Sequence, residues 1–166
     1  MQRILIIGSP GAGKSTFARS LAEITGIPLY HIDNIYWNER GEHITRRELL
    51  DRLDPILRSG SWIIDGNYGA TFEYRIPFAT DVMLLDVDTD TCISGIIRRV
   101  GIERADIPFV ENGVPADLVE VASQYRNETL PKMLEIINDN PRVKFTHFHS
   151  RDDANNYLQM LRDEAI

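Results

Sequence analysis

Apolar residues in this chain fall into short uninterrupted runs, separated by stretches with helical spacing. Ile4–Ile7, Leu29–Ile32, Trp62–Ile64, the run from Val82 to Asp86 and Val143–Phe148 read as strands, the second ending at Asp33 and the third at Asp65. A helix is expected from about Lys14 to Ile24, closed by Thr25-Gly26-Ile27-Pro28, a glycine cap with a proline just beyond. Thr45 and Glu48 form a capping box ahead of Leu49, Leu50, Leu53, Ile56 and Leu57, which share one face of a helix that stops at Ser59-Gly60. Asp88 caps a helix from roughly Thr89 to Val100, and Ser150 caps a last one carrying Tyr157, Leu158 and Leu161.

Strand and helix alternate, and the strands are continuous apolar runs rather than in/out alternations. That pattern predicts an α/β fold with a parallel sheet covered by helices on both faces, a three-layer α/β/α arrangement. Residues 1–166 fit one domain. The stretch from Gly101 to Pro131 departs from the pattern: it is more polar and is interrupted by Pro108, Gly113 and Pro115. It reads as an insertion before the last strand, either a mobile lid or a fixed helical hairpin on the surface.

Composition narrows the function classes. Hydrophobic residues make up 43% and charged residues 26%, ordinary proportions for a globular protein. No apolar run approaches the length that spans a bilayer, and Ile4–Ile7 is too short for a secretory leader, so no membrane partner is expected. Cys92 is the only cysteine, which excludes an intrachain disulfide and fits a reducing, cytoplasmic setting. A net charge of −7 argues against a surface that tracks nucleic-acid phosphates. Positive charge is nearly all arginine, whose planar fork suits phosphate and carboxylate; the lysines are Lys14, Lys132 and Lys144.

Lys14 stands in the clearest motif. Gly8-Ser9-Pro10-Gly11-Ala12-Gly13-Lys14-Ser15 satisfies the pattern G-x-x-x-x-G-K-[ST], preceded by a strand and followed by a helix that continues through Thr16. The glycines let backbone N–H groups turn inward around a phosphate chain, and the helix N-terminus adds its positive dipole end. Lys14 would reach the β- and γ-phosphates of a nucleoside triphosphate, with the Ser15 hydroxyl on Mg²⁺.

One carboxylate near Ser15 would complete a Mg²⁺ site, and Asp33, Asp65 and Asp86 all stand at strand ends, where open parallel sheets bind ligands. Asp65 is the first choice, because Gly66 after it leaves room for a phosphate or a water. Asp86 reads as part of the helix-capping cluster with Asp88 and Asp90. Asp33, amid Tyr30, His31, Tyr36 and Trp37, suits a general base for a substrate hydroxyl, a group that orients the acceptor, a metal ligand through water, or ordinary Asp-Asn turn chemistry. Gly66 to Thr71 is polar and flexible enough to wrap an acceptor, with Asn67 and Tyr68 as hydrogen-bonding groups and Arg75 just beyond. Arg98, Arg99 and Arg126 flank the insertion and could stabilise a transferring phosphoryl group, or simply complement helix dipoles. His147 and His149 alternate on the last strand and read as edge residues, not a metal site.

Ile4 to Ser15, His31-Ile32-Asp33 and the run from Trp62 to Tyr68 together resemble the adenylate-kinase-like proteins called DNA topology modulation proteins. The resemblance covers most of the chain and is strongest in its first half. It implies a P-loop NTPase fold with a five-stranded sheet in the order 2-3-1-4-5 and a lid between strands four and five. It further implies Ser150 and Arg151 near the adenine, and Arg75 and Arg99 at acceptor- or phosphate-contacting positions. Two departures stand out: Gly95 replaces a frequent arginine, and the insertion is acidic, with Glu103, Asp106, Glu111, Asp117 and Glu120 against Arg104. The expected function is ATP- and Mg²⁺-dependent phosphoryl transfer to a small-molecule acceptor. The alternative is a nucleotide-dependent switch or weak ATPase acting through a protein partner.

Overall fold

The computed structural model describes residues 1–166. Its core is a five-stranded, all-parallel sheet of β1 (Arg3–Gly8), β2 (Leu29–His31), β3 (Trp62–Asp65), β4 (Asp81–Leu85) and β5 (Lys144–Phe148), in the order β2-β3-β1-β4-β5. The three central strands are buried almost throughout, while β2 and β5 form the edges and are more exposed.

Successive side chains on a strand point to opposite faces, so each central strand feeds two cores. Ile4 and Ile6 pack with Phe17, Leu21, Phe148 and Leu158 under α1 (Lys14–Thr25) and α8 (Arg151–Glu164). Leu5 and Ile7 pack on the other face with Leu49, Leu53 and Phe72 from α3 (Arg46–Leu57) and α4 (Gly69–Arg75), and with Met133 and Ile137 from α7 (Leu130–Asn138). The sheet is thus covered on both faces, as the continuous apolar runs require.

The helix signals act as caps. Thr45 Oγ1 accepts from the Glu48 N–H at 3.1 Å, Asp88 from the Thr91 N–H at 2.9 Å, and Ser150 from the Asp153 N–H at 3.1 Å. Asp88 opens α5 (Thr89–Arg98). Gly26, at φ 71°, ends α1 by donating to the Ala22 carbonyl.

Two regions differ from the sequence reading. The second strand stops at His31, and Asp33 lies on a one-turn helix, α2 (Ile32–Tyr36), because Ile32 turns into the core and takes the chain off the sheet edge. The insertion is also less separate than its composition suggests. α6 (Ala116–Gln124) runs through a π-helical turn (Tyr125–Thr129) into α7, and Ala122, Tyr125 and Leu130 are all buried in the two cores. Only residues 99–115 stand apart from the helical layer. No helix is long and apolar enough to cross a membrane.

Candidate active site

The segments that follow β1 and β2, with Asp65 and Leu85 at the ends of β3 and β4, open onto one cavity of about 1280 Å³. One wall is the loop from Pro10 to Thr16; Asp33, Tyr36, Trp37 and Tyr68 form another, and the segment from Arg99 to Pro115 a third. The volume exceeds the roughly 300–1,000 Å³ usual for a single small ligand, which leaves space for two molecules side by side.

The glycine loop is held by its neighbours. The Asn67 side chain bonds Gly8 on both sides: its Oδ1 accepts from the Gly8 N–H at 3.0 Å and its amide donates to the Gly8 carbonyl. Ser9 is buried, and Lys14 Nζ donates across the loop to the Ser9 carbonyl at 2.9 Å. Arg151 donates to the carbonyls of Gly11 at 2.7 Å and Ala12 at 3.3 Å.

α5 lies directly against this loop. A Cβ on Gly11, at φ 80°, would stand 1.9 Å from the Cys92 carbonyl oxygen, and one on Gly95 would stand 2.5 Å from the Gly11 carbonyl oxygen. An arginine at position 95 could not fit. The guanidinium of Arg151 lies 3.2 Å from that hypothetical Cβ, so a cation reaches the loop from α8 instead. Gly11→Ala should therefore force α5 off the loop and strain φ as well, destabilising the fold by about 1–3 kcal/mol and weakening nucleotide binding. Thermal unfolding with and without ATP checks both.

Asp65 and Ser15 meet as the sequence suggests. Ser15 Oγ donates to Asp65 Oδ2 at 2.7 Å, and the same oxygen lies 2.7 Å from His31 Nδ1. Asp65 is 5% exposed, and its other oxygen, Oδ1, is buried without a hydrogen-bond partner. A buried carboxylate oxygen lacking a donor beside a serine hydroxyl is a donor set that fits Mg²⁺. His31 is the residue that sequence reasoning missed. Its signal lay in register, since His31 pairs with Asp65 across β2 and β3.

Asp33 faces the same space. The Tyr68 hydroxyl donates to its Oδ1. Burial pushes the Asp33 carboxyl above the ordinary range, opposed by the Tyr68 hydrogen bond and reinforced by the Asp65 charge. Burial pulls the Lys14 ammonium down, while Asp65 and Asp33 hold it up and Arg99 adds to the lowering. Asp33, Asp65 and Arg99 thus line the same cavity as Lys14, and their charges act on its ammonium.

Other expected residues lie elsewhere. Arg75 does not reach the cavity: it is 0% exposed and donates to the Gly66 carbonyl at 3.2 Å, to the Asn67 and Tyr68 carbonyls and to Thr71 Oγ1 at 3.1 Å. It shapes the Gly66–Tyr68 loop from beneath rather than meeting an acceptor. Asn67 lines the cavity, but its amide is engaged by Gly8. Arg126 lies outside the cavity, where its Nε meets Asp86 Oδ1 at 3.2 Å. Asp86 does not cap a helix: its Oδ2 lies 2.9 Å from His147 Nε2, and His147 stacks on His149 at 4.0 Å. Ser150 is the cap of α8 and does not line the cavity, whereas Arg151 does. Arg99 does line it, 3.3 Å from Glu111 Oε1.

No family model matches the chain. Over 62 residues it is 37% identical to the adenylate kinase of Thermosipho melanesiensis, a match spanning 37% of this chain and 28% of that relative. A shikimate kinase from Bacteroides thetaiotaomicron superposes with a TM-score of 0.62 at 17% identity, over 98% of this chain and 97% of the other. One from Acinetobacter baumannii, solved in complex with shikimate, gives 0.58 at 17% identity, over 99% and 94%. At such identities the likeness is one of architecture: an α/β chain with the P-loop NTPase fold and the 2-3-1-4-5 sheet order.

Proposed function

We propose that this protein is an ATP- and Mg²⁺-dependent kinase that phosphorylates a hydroxyl group of a small molecule. The observation that carries this is the sharing of one cavity by a P-loop lysine and a half-buried carboxylate outside the loop, Asp33. A hydrolytic switch needs a phosphate cradle. It does not need a second compartment with its own base.

The acceptor hydroxyl gives its proton to Asp33 while its oxygen bonds to the γ-phosphorus; the bond to the β,γ-bridging oxygen breaks and ADP leaves. Lys14 and Arg99 stabilise the charge on the transferring group. Ser15 and Asp65 would hold Mg²⁺, which neutralises phosphate charge when bound. His31 fixes the Asp65 carboxylate, and Tyr68 orients Asp33. We assign Gly8 to Thr16 and Arg151 to the nucleotide, Asp33 and Tyr68 to the acceptor. On the runs that include His31-Ile32-Asp33 and Trp62 to Tyr68, we group the chain with the DNA topology modulation proteins and assign it to the cytoplasm, where its buried, unpaired Cys92 stays reduced.

Asp33→Asn tests the assignment of the base. Acceptor-dependent ADP production should fall by about 10²–10⁴-fold, with ATP binding retained. In the wild type, activity should drop as the pH falls through the raised Asp33 value, because only the carboxylate accepts a proton; this limb should sit above the ordinary carboxylate range and vanish in the variant. Equal activity of the two proteins would overturn the role.

A further inference from the structure

The acceptor end of the cavity has aromatic walls, and each cation there faces an acid. Tyr36, Trp37, Tyr68 and Phe109 all line it. Their rings meet edge to face: Tyr36 with Tyr68 at 5.1 Å, Tyr36 with Trp37 at 5.1 Å, and Trp37 with Phe109 at 6.0 Å. Asn34 Nδ2 donates to the Ala105 carbonyl at 2.7 Å, which ties the 99–115 segment to α2 and brings Phe109 to this wall.

The cations nearby are matched by acids. Arg104 lies 3.4 Å from Asp106 Oδ1 and 3.3 Å from Glu111 Oε1, and the same Glu111 oxygen faces Arg99 at 3.3 Å. Two guanidinium groups and two buried carboxylates leave no net charge, and Asp33 then adds a negative one. Arg75 is sealed below the loop on backbone carbonyls. The remaining cavity cations belong to the phosphate side. Lys14 is in the loop, Arg19 and Arg151 rise from α1 and α8, and Arg98 stands one turn on from Gly95, the residue through which α5 meets the loop. An anion at the acceptor end would lose its water beside Asp33 and meet no net positive charge in return.

We infer that the acceptor is an uncharged alcohol carried on a planar ring, and that anionic counterparts are excluded. Stacking on the aromatic wall recognises the ring, the Asp33 carboxylate recognises the hydroxyl, and the matched acids reject a phosphate or carboxylate. Both a nucleoside and a hydroxymethyl-bearing heteroaromatic ring have this chemistry. The inference rests on the kinase reading only for the fate of the hydroxyl, whose proton passes to Asp33 as its oxygen takes the γ-phosphoryl group and ADP departs.

Trp37 supplies the readout, because the other tryptophan, Trp62, is 0% exposed in the core. Adenosine, guanosine, cytidine, thymidine and 3-(hydroxymethyl)pyridine are titrated by fluorescence and calorimetry, beside the four nucleoside 5′-monophosphates and shikimate. Each titration is run with and without the imido analogue of ATP plus Mg²⁺. At least one neutral compound should bind about 10²-fold more tightly than any anionic one, and the nucleoside and pyridine arms identify the kind of ring. Phe109→Ala should weaken that binding by about 10-fold. Glu111→Gln, which leaves Arg99 and Arg104 short of a carboxylate, should raise monophosphate affinity by about 10-fold or more. Monophosphates or shikimate binding as well as the neutral rings, or no neutral ring binding in either state, would overturn the inference. A protein that takes the ATP analogue but prefers monophosphates keeps the kinase reading and loses this one. A protein that takes neutral rings but no ATP analogue does the reverse.

Discussion

Lys14→Ala should abolish acceptor-dependent ADP production, a loss of at least about 10³-fold, while the protein still folds. Lys14 is the cation of the glycine loop itself, and its ammonium lies close enough to Asp65 and Asp33 for both to perturb it. With the ammonium gone, two carboxylates face the incoming triphosphate with less positive charge between them, so ATP affinity should fall along with turnover. The bond from Nζ to the Ser9 carbonyl is one of several that hold the loop, beside those from Asn67 and Arg151, so the fold should tolerate its loss. A coupled ADP assay, an ATP titration and a circular dichroism melt separate the three quantities. Undiminished transfer in this variant would remove the kinase assignment.

Arg75→Met should cost about 3–5 kcal/mol of stability, because several backbone carbonyls would each be left without a donor at about 1–3 kcal/mol apiece. At about 2–4 °C per kcal/mol for a chain of this size, the melting midpoint should fall by roughly 6–20 °C. The three carbonyls of Gly66, Asn67 and Tyr68 would lose their shared donor. Tyr68 has φ 37° and ψ 66°, a left-handed conformation that costs a non-glycine residue about 1–3 kcal/mol and persists only where its surroundings enforce it. Releasing it would also withdraw its hydroxyl from Asp33. Arg75→Lys should recover less than half of the lost stability, since an ammonium cannot bridge all the acceptors of a planar fork. Urea unfolding of the three proteins measures this, and a midpoint unchanged in the methionine variant would contradict it.

The parts of the molecule legible in its sequence are those fixed by local rules. Thr45, Asp88 and Ser150 cap helices because a short polar side chain can reach only the N–H groups of its own first turn. The Ser15–Asp65 contact was legible for a related reason: parallel strands bring their C-terminal ends together, and β1 and β3 are adjacent in register, with Ile6 beside Asp65. His31 was not legible, because its contact with Asp65 depends on which strand β2 joins. Arg75 was misread by chemistry rather than by position. Thr71, Phe72, Arg75 and Ile76 follow one buried helical face, a spacing visible in the sequence but obscured by the assumption that arginine points outward. The acidic count of the insertion misled in another way. Asp106 and Glu111 face Arg104 and Arg99, so the sum of charges says little about the field the segment presents.

The hold of Arg151 on the glycine loop has a consequence for how the molecule assembles. The motif from Gly8 to Ser15 looks self-contained, yet the guanidinium bonded to the Gly11 carbonyl comes from a residue 140 positions away. α5, against which the loop must also fit, begins only at Thr89. The phosphate cradle therefore belongs to the long-range, late-forming class of contacts, although its pattern occupies a few consecutive residues. A ribosome that has released the first half of this chain has produced the whole motif and the Asn67 side chain that grips Gly8, but neither Arg151 nor α5.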